Sequence, residues 1–192
     1  MVYNGVLAEK LFPALDVLRM GVKHATVCHH FCQQAGFLSF LCKNLAPGSP
    51  QTNTMLVFRT IVNLFSQPEG AKLMQDNQSQ VLQAVAACEG MTTKNCQIAQ
   101  TTAVLNFSIA ATVMQDFERK SECITVASQL LGKDTDSEAS FRLLVALGTL
   151  THGDEMCQAV LQSLNIAPVL QKLREKSDLN KVIECADILL KL

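Results

Sequence analysis

One frame recurs along this chain and constrains its fold more than any single motif. Gly21, Asn63, Asn106 and Gly148 stand in register at successive steps of 42, 43 and 42 residues, inside "LDVLRMGVKH", "RTIVNLFSQ", "TTAVLNFSIA" and "FRLLVALGTL". The column before the anchor reads Met20, Val62, Leu105 and Leu147. Seven residues before it stand Ala14, Leu56, Ala99 and Phe141. Both columns are apolar throughout. A further step reaches Leu190 in a last helix without a small or amide anchor, as a terminal cap would be.

Shorter amphipathic stretches fill the intervals. "HHFCQQAGFLSFLCKNL" breaks near Gly36, "GAKLMQDNQSQVLQAVAACEG" near Asn77, and "DEMCQAVLQSLNIAPVLQKLREK" near Pro168, while "DFERKSECITVASQLLG" runs on. Loops are expected at 46–53, 89–95, 132–138 and 176–180. "TDSEASF" supplies Asp or Ser caps for a helix start. A repeating period with two or three helices per unit predicts an all-α, armadillo-like α-solenoid of about five to six repeats over residues 1–192 as one domain. The alternative is an irregular helical bundle.

Composition agrees with helices. Apolar residues make up 48%, aromatics only 5%, Trp is absent and Tyr3 is the sole tyrosine. The net charge of -1 argues against a nucleic-acid or membrane surface in bulk, and the basic residues are not interleaved with aromatics. Eight cysteines with no signal peptide read as free thiols in a reducing compartment, cytosol or nucleus.

The frame carries a polar seam. Arg59, Asn63 and Ser66 fall on one stripe of a helix while Phe58, Ile61 and Phe65 face away. Four residues before each anchor stand Val17, Arg59, Thr102 and Leu144; three after stand His24, Ser66, Ile109 and Thr151. In a solenoid such anchors line the concave face. Amides at Asn63 and Asn106 can donate and accept along an extended peptide, and Gly21 and Gly148 leave room for it. The competing reading is that the two amides satisfy backbone buried between helices.

Other chemistry finds no support. "HATVCHHFC" holds His24, Cys28, His29, His30 and Cys32, but tetrahedral zinc sites recruit ligands from two elements, and helix-face cysteines mostly act as small hydrophobes. No phosphate loop, GxSxG or HExxH occurs, so no enzyme, cofactor, metal or small-molecule substrate is expected. The "ERK" run at 118–120 reads as a solvated helix face.

"FRLLVALGTL" (141–150), with "LDVLRMGVKH" (15–24), "RTIVN" (59–63) and "AVLNFS" (103–108), resembles the PUL domain of ubiquitin-handling proteins, from about Phe12 to Leu192. That resemblance implies an armadillo-like array of about six repeats. It also implies a basic concave groove that binds the acidic C-terminal tail of the valosin-containing AAA ATPase, an unfoldase working on ubiquitinated proteins. Carried onto this sequence, the implied peptide-binding positions are Arg59, Asn63, Asn106 and Arg142, with Arg19, Lys23 and His24. On a wheel of about 100° per residue, His24 shares the anchor face, whereas Arg19, Lys23 and Arg142 do not. Arg142 opens its helix and would reach from the rim. Another acidic peptide, a folded protein partner, or a purely structural assembly role are the alternatives.

Overall fold

A computed structural model describes residues 8–88, 90–133 and 135–192. Among the described residues all regular structure is helical. The order is α1 (Ala8–Gly21), α2 (Ala25–Cys32), α3 (Phe37–Lys43), α4 (Gln51–Leu64), α5 (Pro68–Asp76), α6 (Gln78–Ala87), α7 (Lys94–Met114), α8 (Phe117–Leu131), α9 (Ser137–Thr151), α10 (Glu155–Ser163), α11 (Ala167–Lys176) and α12 (Asn180–Leu189). Helices α4, α7, α9 and α12 begin at Gln51, Lys94, Ser137 and Asn180, a constant step of 43 residues. The breaks expected near Gly36 and Asn77 separate α2 from α3 and α5 from α6. The break expected near Pro168 falls just before it, at 164–166, where Asn165 has φ of 49°; Pro168 itself sits in the first turn of α11, where its missing N–H costs nothing. The expected loops at 46–53, 89–95 and 132–138 end too late, because α4, α7 and α9 start inside them. Polar composition misled there: Asn53 is buried in the first turn of α4.

The chain divides into two compact units, one ending at Ala103 and the other beginning at Val104, a boundary inside α7. In the first unit α1 packs along α4, α2 on α5, and α3 on α6. Leu56, Val57, Phe58, Thr60, Ile61 and Leu64 of α4 are all buried, so this helix forms the centre of its unit. The Thr60 hydroxyl is satisfied by donating to the Leu56 carbonyl at 2.8 Å. Gly70 is required where α5 meets the end of α4: a Cβ there would collide with the Leu64 carbonyl oxygen and sit 3.0 Å from Cys28 Sγ.

In the second unit α9 is central. It packs against α8, α10 and α12, and it buries Leu143, Leu144, Ala146, Leu147 and Leu150. Three aspartates start helices here. Asp116 accepts from the Arg119 N–H at 3.2 Å, Asp136 from Glu138 at 2.9 Å and Asp154 from Cys157 at 3.0 Å. Each satisfies an amide that the first helical turn leaves without a partner. Asp154 also pairs with Lys120 of α8 at 2.9 Å. The Lys120 hydrogen bond, with help from the Cys157 N–H, holds the Asp154 carboxyl down to about 2. The pair ties α8 to the start of α10.

Candidate peptide-binding site

The α4 seam has an internal purpose. Near the end of α1, the Val22 N–H bonds the Leu18 carbonyl and the Lys23 N–H bonds that of Met20, which passes over Arg19. Asn63 Nδ2 donates to the Arg19 carbonyl at 2.7 Å. Gln67, just beyond α4, repeats the contact, donating to the Lys23 carbonyl at 2.7 Å. Two amides four residues apart therefore satisfy the carbonyls where α1 turns toward α2. Asn63 Oδ1 keeps its capacity to accept. Ser66 lies past the end of α4, and its hydroxyl donates to the Asn63 carbonyl at 2.6 Å. The seam thus ends in a turn after Asn63.

Arg59 is half-buried on α4, one turn before Asn63, with no ion pair or hydrogen bond among the described residues. Its positive field reaches Cys96, whose thiol burial nonetheless pushes up to about 11. An uncompensated guanidinium beside an amide acceptor suits carboxylate recognition.

Arg19 is committed elsewhere: its guanidinium pairs with Asp16 at 2.7 Å on the same helix. Lys23 and His24 are exposed and their side chains are unpaired among the described residues. The helical wheel does not apply to these two. Helix α1 ends at Gly21, and His24 is the N-cap of α2, with its N–H bonded to the Gly21 carbonyl at 2.9 Å.

In the second unit, Asn106 is half-buried on α7 and engaged within the chain. Ile109, three residues on, is exposed, so an apolar side chain follows the amide. Arg142 pairs with Glu138 at 2.7 Å, and Lys181 of α12 binds the other Glu138 oxygen at 2.6 Å. Lys181 and then Arg142 hold the Glu138 carboxyl below its usual range. Lys181 also lies 4.2 Å over the Phe141 ring. This triad locks α9 to α12; no sequence pattern announced it, since Glu138 and Lys181 stand 43 residues apart. Gly148 faces open space.

No three His, Cys, Asp or Glu side chains converge to hold a metal among the described residues. Cys28 and Cys32 bring their sulfurs to 3.8 Å, and burial raises both thiols, Cys32 to about 12. Burial likewise raises Cys42, Cys123, Cys157 and Cys185. No helix among the described residues is long and apolar enough to cross a membrane.

Helices begun at a fixed step, with a polar edge on one central helix, define an all-α module. The chain belongs to the PUL domain family, which matches residues 7–187. It is 36% identical over 187 residues to phospholipase A-2-activating protein of Xenopus laevis, covering 96% of this chain and 23% of that protein. It is 27% identical over 184 residues to the ubiquitin fusion degradation protein 3 homolog of Caenorhabditis elegans, covering 87% of this chain and 21% of that protein. The chain thus spans less than a quarter of the length of these relatives.

Proposed function

We propose that this PUL domain is a non-catalytic, armadillo-like adaptor that binds the acidic C-terminal tail of the valosin-containing AAA ATPase in ubiquitin-dependent protein turnover, in the cytosol or nucleus. The observation that carries the proposal is Arg59: half-buried, cationic, and without an acidic partner among the described residues. Arg59 meets a tail carboxylate, and Asn63 accepts a backbone N–H through Oδ1. Lys23 and His24 add positive or polar contacts at the turn after α1. In the other unit Asn106 is the proposed backbone contact. Arg19 and Arg142 contribute only by exchanging Asp16 or Glu138 for the ligand's carboxylates.

Each neutral amide contact contributes about 1 kcal/mol and each charge-assisted one ~1.5–3 kcal/mol. Micromolar affinity requires roughly -8 kcal/mol, so the cations must carry most of it. The name of the frog relative does not by itself imply lipase chemistry here.

The test is a titration of a fluorescently labelled peptide of that ATPase's C-terminal tail against the chain. Arg59→Asp is expected to abolish binding with little change in melting temperature. Undiminished binding by this variant removes Arg59 from the site. A second reading, a purely structural module, draws on the Asn63 contact with Arg19; it predicts no tail binding at all.

A further inference from the structure

A second cationic site stands apart from the seam, within the unit that begins at Val104. A cleft of about 380 Å³ opens where the end of α8, the start of α9 and one face of α11 meet. Lys133, Lys172 and Lys176 line it. All three are exposed and none has an ion-pair partner among the described residues. Lys172 and Lys176 are one turn apart on α11, and so present two ammonium groups on one face. Arg174, on the same helix, pairs with Asp187 at 2.8 Å and does not line the cleft. The lining includes no carboxylate among the described residues. Among the described lining residues the three lysines are the only charged groups, so the wall of the concavity itself is positive.

The remaining lining specifies the anion. The Ser137 hydroxyl has no partner among the described residues. Ser177 Oγ accepts from the Leu179 N–H at 3.2 Å and keeps its own proton to donate. Ammonium groups and hydroxyls act as point donors, whereas planar carboxylates are best met by an arginine fork, which the cleft lacks. A phosphoryl group carries about two negative charges and three acceptor oxygens, enough to engage all three lysines. Val169 and Leu173 supply an apolar wall beside them, which free phosphate would leave in contact with water and a flanking side chain would cover.

We propose that this cleft takes a phosphoserine- or phosphothreonine-bearing segment of a partner protein, as a site separate from the acidic-tail contacts around Arg59. The probe is an immobilised library of phosphoserine peptides with random flanks, beside its unphosphorylated twin. The intact chain is expected to be retained by the phosphorylated library at least about tenfold more strongly. The double variant Lys172→Glu/Lys176→Glu should lose that preference, while Lys43→Glu and Arg59→Asp keep it. All these lysines are exposed, and unchanged circular dichroism melts will show that the variants fold. Equal retention by both libraries overturns the proposal, as does a preference that survives the double variant. Binding of inorganic pyrophosphate as tight as that of the peptides overturns the protein segment and assigns the cleft to a free phosphate compound.

Discussion

The side-chain amide of Asn63 donates to the backbone carbonyl of Arg19, bridging two helices from positions 44 residues apart. That bond joins the middle of the first unit to the end of α1, and it gives the seam a structural duty alongside any role in binding.

Asn63→Ala is therefore expected to cost about 1–2 kcal/mol, because a carbonyl that Asn63 alone served loses its donor. Gln67→Ala should cost less, since that contact is exposed. Urea unfolding followed by circular dichroism measures both. A neutral Asn63→Ala would show that water replaces the amide at no loss.

Two glycines respond oppositely to the same change. Gly70→Ala places a Cβ against the Leu64 carbonyl and should destabilise by roughly 2–4 kcal/mol. Gly148→Ala, inside α9 and facing open space, should stabilise by about 0.5–1 kcal/mol. Thermal melts compare them directly. A stabilised Gly148→Ala protein with weakened peptide binding would mean that the missing side chain leaves space for a ligand.

Acid should loosen the second unit through Asp154. Its folded-state pKa of about 2 lies below the ordinary 3.8, so its stabilisation is complete above the ordinary value. That contribution drains away as pH falls through the folded value, and it amounts to about 1–2 kcal/mol at neutral pH. Lys120→Met removes the partner but keeps the helix cap. Unfolding midpoints at pH 7 and pH 2.5 should differ less in this variant than in the parent. An identical pH response in both would sink the assignment.

Binding of an acidic tail should weaken as salt rises, because partly exposed charges are screened over about 10 Å at 0.1 M. Anisotropy titrations at several sodium chloride concentrations read this out. An affinity indifferent to salt would count against a charged contact at Arg59.

Much of the fold was legible in the sequence. The all-helical character and the breaks near Gly36 and Asn77 were legible because both signals are local, whereas the apolar column did not predict burial: Leu147 is buried but Met20 is 47% exposed. The Asp136 cap was legible because capping is local. The site was less so. Sequence could place Arg59 and Asn63 on one stripe but could not say that Arg59 lacks a partner among the described residues while Glu138 joins Arg142 to Lys181. The Glu138–Arg142 pair, four residues apart on one helix, was open to a reading of spacing; Lys181, 43 residues from Glu138, was not. His24 was misplaced for a different reason: a wheel extended past Gly21 counts turns in a helix that has already ended. The lysine cleft escaped because Lys133 and the α11 pair meet only after α8, α9 and α11 have packed.

The raised thiols bear on how the molecule tolerates chemistry. Cys28, Cys32, Cys42, Cys96, Cys123, Cys157 and Cys185 are all shifted toward the protonated form, which reacts slowly with peroxide and maleimide. These seven thiols should therefore be slow to oxidise. A single cysteine engineered onto the domain's surface would take a dye well ahead of the native ones.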